Sequence, residues 1–178
     1  MTAKGMTSFL IKCGAAVMTV MLLFGCGYHL SAGGEYIDKG LKTVYVAPFT
    51  NKTSEANVEN TFRAAFIDWF IKGNRFKIVD QADQADVIWR GTVQSLMTTT
   101  LSYQTSNVAA EERMTVVLDL KFEERESRKE IWADKAYSAF QDYRILDVMN
   151  TDSSRKNALS RLSAYAAEGA YRMMMSGF

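Results

Sequence analysis

Met114-Thr115-Val116-Val117-Leu118-Asp119-Leu120-Lys121-Phe122-Glu123 carries the clearest alternation in the chain. Met114, Val116, Leu118, Leu120 and Phe122 point one way. Thr115, Asp119, Lys121 and Glu123 point the other, with Val117 the exception. Successive side chains on a strand face opposite sides, so the stretch predicts a strand of an antiparallel sheet with one buried face. Burying its five apolar residues is worth at most about 8–15 kcal/mol.

Working outward, Glu124 to Lys129 is too charged to be anything but a turn, and Glu130 to about Phe140 returns as a strand led by Ile131 and Trp132. Upstream, Gln104 to Ala110 reads as a loop. Asp86 to Tyr103 reads as a long strand rich in threonine (Thr92, Thr98, Thr99, Thr100). Arg75 to Val79 is a short strand, and Asp80 to Ala85 a polar connection. Val58, Phe62, Ala65, Phe66, Trp69 and Phe70 fall on one stripe at helical spacing, with Thr53 or Ser54 as cap and Gly73-Asn74 as a left-handed stop. The aromatic stripe is read as a core face rather than a ligand box. Lys42 to Ala47 is a β-rich run ended by Pro48, which cannot donate to a ladder. Phe49 to Thr53 reads as a polar turn. After a loop at Asp147 to Asp152, with Thr151 or Asp152 as cap, a last helix places Ala158, Leu159, Leu162, Tyr165, Ala166, Ala170 and Met173 on one face. The order is β-α-β-β-β-α. Two apolar helix stripes and one apolar sheet face predict an α+β fold: a two-layer α/β sandwich, with an about four-stranded mixed sheet and both helices packed on one face.

The N-terminus has a different character. Lys4 and Lys12 precede an apolar run from Gly14 to Phe24, followed by Gly25-Cys26. The run is too short to span a bilayer, which takes roughly 20 apolar residues. It has the parts of a secretory signal, and a cysteine just after the small residue looks like a bacterial lipobox. The domains expected are a removed signal at 1–25, a lipid anchor and tether at 26–40, and a single folded domain at 41–178. Phe24 is bulkier than the small residue usual at that position. Of the 178 residues, 153 would remain, with 19 basic against 20 acidic side chains once Lys4 and Lys12 are gone. That balance gives no global pull toward nucleic acid or an acidic membrane surface. Cys13 leaves with the signal, so Cys26 is the one mature cysteine. A free thiol is a liability in an oxidising compartment, and lipidation removes it.

Enzyme chemistry finds little support. His29, the only histidine, sits in the tether with no second ligand near it, so no zinc site is expected. There is no Gly-x-Ser-x-Gly elbow and no phosphate-binding glycine loop. The acid pairs Asp83 and Asp86, and Glu123 and Glu124, are expected to be solvated. The chain is therefore read as a non-enzyme that needs no cofactor or metal.

Cys26-Gly27-Tyr28-His29-Leu30, followed by Val44-Tyr45-Val46-Ala47-Pro48-Phe49-Thr50-Asn51-Lys52-Thr53, resembles the LptE family of lipopolysaccharide-assembly lipoproteins. Asp86-Val87-Ile88, the long threonine-rich strand and the C-terminal helix fit the same order. The Ala-Pro-Phe-x-Asn-x-Thr stretch is shared with other envelope lipoproteins. The resemblance implies the sandwich fold and lipidation at Cys26, with acyl chains such as palmitate. It implies a place on the periplasmic side of the outer membrane, as a plug and assembly factor for the β-barrel LptD that also binds lipopolysaccharide. The alternative is an envelope lipoprotein that activates a periplasmic enzyme or serves another secretion or assembly complex. The tether from Gly27 to Gly40 reaches at most about 45–50 Å, which favours a partner at the membrane. Lipopolysaccharide carries phosphates and carboxylates, which arginine and lysine recognise. Arg90, Arg113, Lys121, Arg128 and Lys129, on the polar face or loop ends of the sheet, are the candidate contacts.

Overall fold

The computed structural model describes Gly34 and residues 36–103, 109–145 and 151–177. The signal, Cys26, His29, the tether before Gly34, and most of the two loops read at 104–110 and 147–152 lie outside the described residues. The strands are β1 (Thr43–Val46), β2 (Thr50–Asn51), β3 (Lys77–Ile78), β4 (Val87–Tyr103), β5 (Ala109–Glu124) and β6 (Glu130–Arg144). The helices are α1 (Val58–Gly73) and α2 (Thr151–Ser176), with a 3-10 turn at Ala82–Gln84.

The sheet runs β3-β1-β4-β5-β6, with β2 also paired to β4. β1 is parallel to β3 and β4, and β4-β5-β6 is an antiparallel meander. The mixed sheet and the two helices are as expected, but the described residues form six strands, not about four. The four runs read as strands after α1 are all present, one more than the order β-α-β-β-β-α counts. Thr50–Asn51, read as part of a turn, pairs in parallel with Thr92–Val93. β5 begins at Ala109, so the loop before it is shorter than the sequence suggests.

The alternation at 114–123 holds. Met114, Val116, Leu118, Leu120 and Phe122 are all fully buried. Val44, Val46, Val87, Trp89 and Val93 share that face and meet the stripe of α1. Trp89 is the hub: it stacks on Trp132 at 5.7 Å and touches Phe66, Phe70 and Phe122 at 5.0, 5.4 and 6.0 Å. Apolar area removed from water on this scale is the main term holding such a layer pair together.

The Ala-Pro-Phe-x-Asn-x-Thr stretch has a structural explanation. Phe49 is buried with its ring against Gly91. A Cβ at Gly91 would lie 2.3 Å from two of the ring carbons. Asn51 Oδ1 accepts from both the N–H and the hydroxyl of Thr53 at 2.8 Å, while Asn51 Nδ2 donates to the Glu55 carbonyl at 2.7 Å. Thr53 is thus occupied in the turn and does not cap α1. The helix starts later, after Asn57 at φ 62, with no side-chain cap bond. Its end is as expected, with Asn74 left-handed at φ 49 and its N–H on the Ile71 carbonyl.

The buried stripe of α2 is rotated from the expected one. Ala158, Leu162, Ser163, Ala166, Ala167, Ala170, Tyr171 and Met174 are buried, whereas Tyr165 is exposed and so is Met173. The sequence offers tyrosine as the better core residue, but small Ser163 and Ala167 let α2 approach α1 and the sheet closely. The Ser163 hydroxyl is satisfied by the Ser160 carbonyl at 2.9 Å. Trp69 Nε1 donates to the Ala164 carbonyl at 3.0 Å and ties the two helices.

Asp86 is not a solvated surface acid. Its Oδ2 accepts from the Lys42 and Thr43 N–H groups at 2.8 Å each, and its carbonyl accepts from the Arg125 N–H at 2.9 Å. Those bonds hold its carboxyl below the usual range and pin the starts of β1 and β4 to the β5–β6 hairpin.

Candidate functional site

The outer face of the sheet, opposite the helices, carries Ile88, Arg90 and Thr92 from β4 and Arg113, Thr115, Val117, Asp119, Lys121 and Glu123 from β5. Arg90 and Lys121 are direct cross-strand partners, and Ile88 is the partner of Glu123. Like charges directly opposite on a sheet repel. Here Glu123 resolves the conflict. Arg90 Nε donates to Glu123 Oε1 at 2.9 Å, and Lys121 Nζ lies 2.7 Å from Oε2. The Glu123 side chain is only 4% exposed, while those of Arg90 and Lys121 are 48% and 39% exposed. Glu123 was expected to be solvated. Instead it is buried beneath its two cations and beside buried Ile88.

The triad keeps one net positive charge. Arg90 uses only Nε on Glu123, so its two terminal nitrogens make no bond among the described residues. They are available to a phosphate or carboxylate approaching the face.

Burial pushes the Glu123 carboxyl up, but the hydrogen bonds and charges of Lys121 and Arg90 outweigh it and hold the group below its ordinary value. The unfolded chain therefore binds this proton more tightly than the folded one. The triad's stabilisation is complete above the ordinary carboxylate range and is lost as pH falls through the lowered folded value. Replacing Glu123 with Gln should flatten the acid limb of Tm against pH below about pH 5. Acid limbs that coincide for the two proteins would show that the triad contributes no pH-dependent stability.

The other candidate cations are not brought to this point. Arg113 lies eight residues up β5 from Lys121, about 27 Å away. It is held bidentately: Nε and a terminal nitrogen bond the two oxygens of Asp142 at 2.6 and 2.8 Å, and the guanidinium lies 4.1 Å over the Phe140 ring. Arg128 and Lys129 are exposed in the β5–β6 hairpin, beyond the triad end of β5, with Arg128 at φ 58. The structure thus joins Arg90 and Lys121, puts Arg128 and Lys129 nearby, and sets Arg113 apart. Sequence reasoning missed Glu123 as the centre of the cluster. Its only signal was a carboxylate two residues from Lys121 on the same face.

Comparison with known proteins now bears on the face. The family model described as LptE, lipopolysaccharide-assembly, matches residues 41–174. The chain belongs to the LptE family. Solved structures share the LptE-like fold. The uncharacterised lipoprotein B of Nitrosomonas europaea aligns with a TM-score of 0.52 at 14% identity, covering 85% of this chain and 92% of that one. The rare lipoprotein B of Shewanella oneidensis gives 0.50 at 18% identity, with 72% and 93% covered. The hypothetical protein CT253 of Chlamydia trachomatis gives 0.52 at 9%, with 78% and 99% covered. Identities this low show the fold alone. No curated protein is significantly similar to the chain. The match to LptE begins at Leu41 and so takes in the Phe49–Gly91 contact, the Arg90–Glu123–Lys121 triad and most of α2.

Proposed function

We propose that this chain is a non-enzymatic outer-membrane lipoprotein, anchored on the periplasmic side, that plugs and helps assemble the LptD β-barrel and assists lipopolysaccharide insertion into the outer leaflet. The observation that carries the reading is the LptE family match over residues 41–174. The geometry supports a glycolipid contact on the outer face of the sheet. Arg90 and Lys121 offer adjacent, half-exposed cations whose charge is only partly taken by Glu123, and the Arg128–Lys129 hairpin extends the positive surface. Arg113, locked to Asp142, is left out of the contact.

The test is to replace Arg90 and Lys121 together with glutamine, which can still donate to Glu123. Lipopolysaccharide binding should weaken by about tenfold or more, the scale of one or two charge-assisted hydrogen bonds. Barrel co-purification should persist, and Arg113→Gln should leave glycolipid binding unchanged. Binding unaffected by the Arg90 and Lys121 changes would move the contact elsewhere.

In this reading residues 1–25 are removed, Cys26 carries the lipid, and residues 41–178 form the working domain. Each buried methylene adds about 0.8 kcal/mol, and two or more chains anchor stably. Cys26→Ala should shift the protein from the membrane to the soluble fraction. An intact mass showing an unmodified chain that starts at Met1 would contradict the anchor.

A further inference from the structure

β6 closes the sheet, with β5 on one side and, among the described residues, no strand on the other. An open edge offers its backbone N–H and C=O groups to any extended chain, and proteins block such edges with bulges and inserted charge. The two halves of β6 differ in this respect. Over Glu130–Tyr137 the pairing with β5 shifts register twice. In that half Asp134 turns its carboxylate back to accept from the Ala136 N–H at 3.0 Å, and Lys135 is exposed. From Tyr137 to Arg144 there is no bulge, and of its two charges Asp142 is paired with Arg113, which leaves only Arg144 at the end. Eight consecutive residues pair with Leu118 to Glu111 in unbroken register, with no proline, glycine or lysine among them. The Asp142 carbonyl accepts from the side-chain amide of its own neighbour Gln141 at 2.7 Å, as an edge carbonyl does when no strand lies beside it.

Beside this half runs a groove whose far wall is α2. Its wider part, about 420 Å³, is lined by Gln141, Arg144, Asn157 and Arg161 among others. The narrower part, about 260 Å³, lies between Phe140 and Tyr165. Gln141 and Asp142 line both. Arg161 and Tyr165 are one helical turn apart and so face the same side. Phe140 and Tyr165 are 51% and 60% exposed. Arg144 and Arg161 have no ion-pair partner among the described residues. Glu111 and Asp142 also line the wider part, but Asp142 is neutralised by Arg113, which leaves an excess of positive charge.

We propose that the β6 edge from Tyr137 to Arg144 receives an extended segment of a partner protein as an added strand. Its backbone completes the sheet. On its helix side an apolar or aromatic residue packs on Tyr165 and an Asp or Glu two residues along meets Arg161, while on the outer face its side chains meet Phe140 and, four residues along β6, Arg144. This surface is separate from the glycolipid face around Arg90.

The test compares backbone amide exchange in two preparations of the full-length protein. One is extracted from its own envelope in mild detergent with whatever it holds, and the other is purified alone. Peptides covering Tyr137–Arg144 should exchange at least about tenfold more slowly in the assembly. The protection should be lost in an Arg144→Glu, Arg161→Glu double variant and kept in Lys135→Glu, which lies on the blocked half. Equal exchange in the two preparations overturns the proposal. So does protection indifferent to the arginine changes, or protection in an assembly holding only further copies of this chain. Barrel retention is read separately: a retained barrel with an unprotected edge defeats the edge alone, and a protected edge without a barrel defeats the functional reading alone.

Discussion

Leu118→Asp is expected not to fold. Leu118 is fully buried in the middle of β5, opposite Val93 on one side and Tyr137 on the other. A carboxylate there has no cation within its layer, and an unpaired buried charge is among the few single changes that cost more than about 4 kcal/mol. Val117→Asp, one residue away, is the control. Val117 lies on the outer face between Ser95 and Ser138, where a carboxylate reaches water, and the change should cost no more than about 1 kcal/mol. Far-UV circular dichroism and thermal melts of the two variants check this. Equal losses would mean that the two faces of β5 are not distinguished by burial.

Gly91→Val carries the second large effect. Its side chain would enter the volume of the Phe49 ring, and Phe49 is packed against Phe66 at 5.4 Å, so the ring cannot simply swing aside. Overpacking of this kind costs about 3 kcal/mol. Phe49→Ala alone should cost about 3–5 kcal/mol through the cavity it leaves. The double variant should cost clearly less than the two together, because the valine then fills space the ring has vacated and a β-branched residue suits a strand. Urea midpoints for the three proteins decide it. Strict additivity would show that Gly91 is kept for some reason other than the ring.

These two sites also show how far the sequence could be read. The face of β5 was legible because a strand with one dry side must alternate, and Met114 to Phe122 does. The two-layer plan followed from the stripes of β5 and α1. Long-range pairing of very short segments was not legible. Thr50–Asn51 reads as a turn because its residues are turn formers, yet parallel bonds to Thr92–Val93 make it a strand. The stripe of α2 was set one step out because tyrosine outranks serine as a core residue, whereas close helix approach favours the smaller Ser163.

The candidate site was legible as a set of cations but not as a site. Whether Arg90 meets Lys121 depends on cross-strand register, which is fixed by bulges such as the one at Val93/Ser95 that no local pattern announces. Register likewise pairs Arg113 with Asp142, 29 residues on, and sets it apart from Arg90 and Lys121. Glu123 looks like any surface acid until both its neighbours are known. The Ala-Pro-Phe-x-Asn-x-Thr stretch, which suggested a family, proves to be a packing and turn device.

In the function proposed here, the chain works as a barrel plug rather than as the activator of an enzyme. The most direct measurement is a pull-down of the full-length, lipidated protein from detergent-solubilised envelope, with the captured proteins identified by mass. The account predicts a stoichiometric large outer-membrane β-barrel, retained when Arg90 and Lys121 are glutamine. Capture of a periplasmic enzyme with no barrel would contradict it.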